Sequence, residues 1–354
     1  MAKDSPHTAD ASAPAVSLQD KVAFLSRARA YAGFEGEVEV KETHMAWVFL
    51  TETRVYKLKK PVEYDHRDCH FLRDREFLCH EEVRLNRRLA PDVYLGVASL
   101  RRDGKGRLTL NGQGDVVDWL VVMRRLPAHL LLDEALSQGC VTRAEIARVS
   151  ARLGDFYAGL DPSEMTQKAY LAHFRRELKR NREVIEDARF AQASQGVSPM
   201  LDRLDRLLVD EPELLGERAR QGRIKEGHGD LRPEHVCLCK PPVVIDCLEF
   251  SRALRLVDPF DELCFLGLEC ERLGADWIGE QLIDEVAARL ADWPSKRLLA
   301  FYTAYRACLR ARLSLAHLLD PEPRTPEKWE PQAKAYLALG QRACRALDAA
   351  APAT

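Results

Sequence analysis

The sequence predicts an α+β chain of two lobes, a small mixed β lobe followed by a larger, mainly helical one. Three observations lead there. Strand-like and helical runs up to Met123 follow the order strand, strand, strand, helix, strand, strand. Beyond Pro127, apolar residues recur at helical spacing almost without interruption. The one clear β signal in this second half is a short hairpin near residues 236–246, and it carries an aspartate close to each end. With 354 residues and 46% apolar content, the chain can bury one large core or two.

Residues 1–16 are rich in Ala, Ser, Pro and Asp and predict a disordered tail. The small lobe then runs over 17–125. It opens with an amphipathic helix at Leu18–Tyr31 and continues as strands at Val38–Glu42, Ala46–Leu50 and Val55–Lys59. A helix over Leu72–Leu89 carries Phe77, Leu78, Val83, Leu85 and Leu89 as its apolar positions, and Pro91 ends it. Strands Tyr94–Arg101 and Val116–Met123 flank a Gly-rich turn at Asp103–Asp115. Met123–Pro127 reads as a hinge. The large lobe, 126–354, predicts helices at Thr142–Leu160, Lys168–Gln192, Ser198–Asp210, Asp258–Leu273, Trp277–Leu290, Ser295–Leu319 and Pro331–Ala349. Ser198-Pro199 supplies a cap residue followed by a first-turn proline. Asp320–Pro331 is a Pro-rich excursion between two helices.

Composition narrows the function. A net charge of −2, from 53 basic and 55 acidic residues, gives no field that would hold nucleic acid or an anionic membrane. No apolar stretch is long enough to span a bilayer, and the polar N-terminus lacks a signal-peptide core. The ten cysteines are scattered and mostly lie in apolar runs, where a thiol acts as a small hydrophobe. These features predict a cytoplasmic protein with reduced thiols.

The chemistry concentrates in residues 227–250. Asp230 sits in a Gly-flanked loop, and Asp246 closes an apolar strand sixteen residues later. Between them, Val236–Cys239 and Val243–Ile245 are separated by Lys240-Pro241-Pro242. Adjacent prolines fit neither a helix interior nor a central strand, so the spacer predicts a hairpin turn.

His228-Gly229-Asp230-Leu231, Ile245-Asp246-Cys247-Leu248-Glu249-Phe250 and Asp258-Pro259-Phe260-Asp261-Glu262-Leu263, in this order and spacing, resemble the protein-kinase-like fold. The branch they resemble is that of the aminoglycoside phosphotransferases and choline kinases. The resemblance covers residues 36–270 in element order. It implies an ATP-dependent phosphotransferase that moves the γ-phosphoryl group to a hydroxyl of a small molecule. Asp230 would be the catalytic base and Asp246 the ligand of Mg²⁺, or of Mn²⁺. His228 would brace the loop, Glu249 would assist the metal or orient substrate, and Asp258 would hold the catalytic-loop backbone or cap its own helix. His235 stands where the family places a metal-binding Asn. A neutral imidazole is a poor Mg²⁺ ligand and a better one for Mn²⁺ or Zn²⁺.

In the small lobe, Lys57 and Lys59 point to one face of their strand. Lys57 matches the phosphate-binding lysine, with Lys59 as the alternative. Glu82 is its expected helix partner, ahead of Glu81 and Glu76, and Met123 at the hinge completes the nucleotide set. No Gly-rich phosphate loop is present, since Thr43-His44-Met45-Ala46 joins the first two strands. Tyr302, Tyr305, Arg306, Arg310 and Arg312 share one helix, either lining an acceptor pocket or pairing with acids. Two alternatives stand beside the kinase reading. One is a nucleotide-binding pseudokinase that serves as a sensor or interaction module. The other is a metallohydrolase built on His228, Asp230, His235 and Asp246.

Overall fold

A computed structural model describes residues 16–64 and 67–350; of the tail expected over 1–16, only Val16 falls within them. The chain divides into two compact units, residues 1–87 with 92–125, and residues 88–91 with 126–354.

The first unit is built on a six-stranded sheet. Its strands are β1 (Glu39–Glu42), β2 (Ala46–Leu50), β3 (Arg54–Lys59), β6 (Tyr94–Arg102), β7 (Leu108–Leu110) and β8 (Asp115–Arg124). They lie in the order β1-β2-β3-β8-β6-β7, and every neighbouring pair is antiparallel. The two-residue strands β4 (Glu63–Tyr64) and β5 (Arg67–Asp68) pair separately. Strand β7 falls inside the stretch expected as a Gly-rich turn. Its three residues are too short a run to show alternation.

Alternation along β3 divides its side chains between the two faces. Tyr56 and Leu58 join Phe49, Leu100 and Leu120 in a core closed by Leu25 and Tyr31. Leu25 ends helix α1 (Leu18–Leu25), which is shorter than predicted because Ser26 caps it; a 3₁₀ turn, Ala28–Ala30, follows. Lys57 and Lys59 occupy the other face, with helix α2 (Leu72–Asn86). A buried ion cluster ties these parts together. Asp118 of β8 accepts from Lys21 Nζ of α1 at 2.7 Å and from Arg75 Nε and an Arg75 terminal nitrogen of α2 at 2.8 and 3.1 Å.

The second unit holds helices α3 (Leu132–Ser137), α4 (Arg143–Ala158), α5 (Gln167–Ile185), α6 (Ser198–Asp210), α7 (Glu213–Arg220) and α8 (Arg252–Arg255). It continues with α9 (Pro259–Arg272), α10 (Trp277–Leu290), α11 (Lys296–Ala316) and α12 (Pro326–Ala349). Helix α4 opens with a capping box in which Thr142 and Glu145 satisfy each other's backbone N–H. Helices α3 and α7 are absent from the sequence reading, being too short to show a helical period. Helix α12 starts five residues earlier than predicted, at Pro326, a first-turn proline, and runs through Pro331. Helix α9 is buried along Pro259–Cys270 on all sides and forms the axis of the core. It meets α10 so closely that Gly267 and Gly279 stand face to face.

The predicted hairpin forms as β10 (Val236–Cys237) and β11 (Val243–Val244), with Val236 opposite Val244. A second antiparallel pair, β9 (Lys225–Glu226) with β12 (Leu256–Val257), holds the other end of the same segment. Among the described residues, no helix is long and apolar enough to cross a membrane.

Candidate active site

The Asp230 loop leaves β9 and is shaped by two glycines. A Cβ on Gly227 would meet the Glu262 carboxylate at 2.4 Å, and Gly229 adopts φ +88° beside Leu248. Glu262, fully buried on α9, receives the backbone N–H of His228 at 3.0 Å and that of Gly229, and the Tyr157 hydroxyl donates to it at 2.7 Å. Burial pushes the Glu262 carboxyl up, while the two amides and Tyr157 hold it down. Arg88 donates to the carbonyls of Glu226 and Gly227 at 2.7 and 2.8 Å. The backbone leading to Asp230 is therefore fixed from both sides.

Glu262 corrects the role expected of Asp258. Asp258 does cap α9, accepting from Phe260 N at 3.0 Å. Its carboxylate is otherwise occupied by Arg218, at 2.5 and 3.1 Å, and by the Tyr302 hydroxyl at 3.0 Å. Arg218 also bridges to Asp292 at 2.8 Å. The loop amides go to the acid four residues further on, one helical turn deeper. The acid-rich start of α9 was visible in the sequence, but not which of its acids faces the loop.

His228 is fully buried and both ring nitrogens are used. Nε2 donates to the carbonyl of Ile245 at 2.8 Å, and Nδ1 faces Asp230 N at 3.3 Å. Burial takes its pKa down to about 4. A ring engaged in this way braces the loop and has no lone pair left for a metal, which removes one ligand from the metallohydrolase set.

The Asp230 side chain remains partly open and is held by Arg232 Nε at 3.0 Å. Arg232 also pairs with Glu234 at 2.6 Å. This cation two residues from the acid was readable in the sequence and was missed. His235 Nδ1 donates to the Asp230 carbonyl at 2.8 Å, and Nε2 accepts from an Arg232 terminal nitrogen at 3.4 Å. Nε2 also lies 3.6 Å from Asp246 Oδ2. Asp246 itself has φ +62°, unusual for a non-glycine residue, and leads out of β11. One carboxylate and one imidazole nitrogen thus stand together beside Asp230. No group of three or more His, Cys, Asp or Glu side chains is arranged to hold a metal ion among the described residues. The carbonyl of Glu249 accepts from an Arg255 terminal nitrogen at 3.3 Å.

The arginines of α11 are engaged by carboxylates. Arg306 is bidentate on Asp261 at 2.7 Å, Arg310 meets Glu269 at 2.6 Å, and Arg312 meets Glu177 at 3.1 Å. Of the two roles open to them, these contacts support pairing.

In the first unit, Glu82 is buried completely and receives both lysines of β3, Lys57 at 3.1 Å and Lys59 at 2.5 Å. Lys59 is 2% exposed in its side chain and Lys57 15%. Glu81, by contrast, turns outward to Arg84 at 2.6 Å. Met123 pairs with Val55 across β8 and β3. The turn joining β1 to β2 is closed without glycine, Ala46 N donating to Thr43 Oγ1 at 2.9 Å.

The fold is the two-lobed protein-kinase-like fold, in the form taken by choline/ethanolamine kinases and aminoglycoside phosphotransferases. A choline/ethanolamine kinase family protein of Mesorhizobium loti superposes with a TM-score of 0.53 at 15% identity, covering 94% of this chain and 99% of that one. Choline kinase of Cryptosporidium parvum matches with a TM-score of 0.53 at 11% identity, over 93% and 96%. A mutant aminoglycoside 2'-phosphotransferase in complex with GDP gives 0.51 at 14% identity, over 88% and 93%. In sequence, uncharacterised proteins of Mycobacterium tuberculosis and Mycobacterium bovis are 29% identical over 289 residues, covering 81% of this chain and 56% of the relatives. The chain therefore spans about half the length of the curated relatives it matches. No family model matches the sequence.

Proposed function

We propose that the protein is an ATP-dependent phosphotransferase acting on a hydroxyl of a small molecule. The observation that carries this reading is the Asp230 loop. It presents a partly open carboxylate on a backbone clamped by the buried Glu262, beside the Asp246–His235 pair. Asp230 accepts or orients the proton of the attacking hydroxyl, and Arg232, bonded to it, keeps its carboxylate pointed. Asp246 would hold a divalent ion, and the Nε2 of His235 would join it on giving up its contact with Arg232. An oxygen and a nitrogen donor suit Mn²⁺ better than Mg²⁺. When bound, such an ion neutralises charge on transferring phosphate oxygens. Lys57, the more exposed lysine on Glu82, would bind phosphate, and Lys59 would hold the glutamate in place. The GDP complex of the structural neighbour supports a nucleotide as donor.

The test is ATP turnover by the purified chain, measured with Mg²⁺ and with Mn²⁺ against a panel of hydroxylated metabolites. Asp230→Asn is expected to lower kcat by at least about a hundredfold, the lower range of general acid–base catalysis. Nucleotide that binds but is never turned over with any ion would sink the enzyme reading in favour of a pseudokinase.

A further inference from the structure

The face of the first unit's sheet that carries Tyr56 opens into a cavity of about 770 Å³, within the range of small-molecule pockets. It lies on the side of β3 opposite Lys57 and Lys59, so the proposed phosphate lysines take no part in it. Its apolar lining includes Phe24, Leu108, Leu110 and Val122, and Tyr31 and Tyr56 add two rings with centroids 4.6 Å apart.

Tyr56 is 8% exposed, and its hydroxyl has no hydrogen-bond partner among the described residues. Such a hydroxyl is normally satisfied by protein, water or ligand. Three guanidinium groups, Arg29, Arg54 and Arg107, stand in the lining, and no carboxylate does. Arg107 is engaged by Asp103 at 2.8 Å. Neither Arg29 nor Arg54 has a side-chain partner among the described residues.

We infer that this cavity is a binding site for a small organic anion, a phosphate or carboxylate carried on a flat apolar body. The rings and leucines take the body, while Arg29, Arg54 and the Tyr56 hydroxyl take the anionic oxygens. The site is separate from the proposed catalytic machinery and does not depend on that reading.

Titration calorimetry on the full chain tests the site with phenyl phosphate and benzoate as probes, against inorganic phosphate and benzyl alcohol. At least one of the two aromatic anions is expected to bind saturably at one site per chain. It should bind at least about tenfold tighter than inorganic phosphate or benzyl alcohol, which each supply only half of the recognition; the tighter of the two identifies the head group. The double variant R29E/R54E should weaken that binding at least tenfold. Tyr56→Phe, which keeps the packing, should weaken it a few-fold, and Lys57→Met should leave it intact. Absence of saturable binding to the wild-type chain overturns the inference. So do equal affinities for benzyl alcohol and the anions, or loss in Lys57→Met with retention in R29E/R54E.

Discussion

Two lysines share one buried glutamate, and their burial separates their roles. Lys59 Nζ and Glu82 are both out of water, so removing the ammonium leaves the acid short of a close partner. Breaking a buried pair costs about 3–5 kcal/mol. Lys59→Met is therefore expected to lower unfolding free energy by about 3 kcal/mol in urea titrations, while Lys57→Met costs about 1 kcal/mol. Nucleotide affinity should respond the other way, falling at least tenfold in Lys57→Met. If Lys59→Met were stable and Lys57→Met bound nucleotide normally, the two assignments would be exchanged. Sequence placed both lysines on one face, but period alone could not say which reaches further into the interior. The same limit applies to His235. Its position was readable, whereas its tautomer is set by the Asp230 carbonyl, a contact that exists only in the folded loop. A further residue, His173 on α5, gives a pH prediction. Burial drives its pKa down to about 4, with Glu177 opposing and Arg306, Arg176 and Arg180 assisting. The unfolded chain then binds the proton more readily than the folded one, so stability is present above pH 6.5 and is lost as pH falls toward 4. Between pH 7 and pH 5 this group removes about 2 kcal/mol. The drop in unfolding free energy over that interval, from urea titrations, should be smaller by this amount in His173→Gln. An equal drop in both proteins would place the imidazole in water.

At the scale of elements, long helices and alternating strands were legible because their periods repeat. β2, α6 and α10 have the bounds the sequence predicts. β7 was not legible because three residues show no alternation, although its partner β6 is close in sequence. Elements such as α3 and the β9–β12 pair are stabilised by neighbours distant in sequence, and no local pattern announces them. The Lys21–Arg75–Asp118 cluster is hidden for the same reason, its members lying 97 and 43 residues from Asp118. The contact of α9 with α10 gives a prediction of its own. A Cβ built on Gly267 would stand 2.8 Å from the Gly279 Cα, backbone against backbone, with no flexible side chain to yield. Overpacking of this kind costs about 1–3 kcal/mol. Gly267→Ala should lower the melting temperature although alanine favours helix, and Gly104→Ala should not, because the space around Gly104 is open and its backbone is not left-handed. An unchanged melting temperature in Gly267→Ala would mean that the helices separate freely, and the axis of the second unit would not be the tight junction described.

For the whole molecule, each unit has a core of its own, Leu25 through Leu120 in the first and a larger cluster centred on α9 in the second. In the proposed function the phosphate role falls to Lys57 of the first unit and the metal role to Asp246 of the second. A nucleotide that binds only the native chain adds its binding energy to the stability of that chain. At a free concentration one hundred times Kd that addition is about 2.7 kcal/mol. ADP with Mn²⁺ should raise the unfolding midpoint of the wild-type chain accordingly. Lys57→Met and Asp246→Asn should each remove most of the gain. The decisive comparison is with Asp246→Asn as Mn²⁺ is varied, because loss of a metal ligand makes the gain depend on the ion while loss of a phosphate contact does not. Should this variant keep the full gain at every Mn²⁺ concentration, Asp246 would not hold the ion that accompanies the nucleotide, and the phosphotransferase reading would lose its metal ligand.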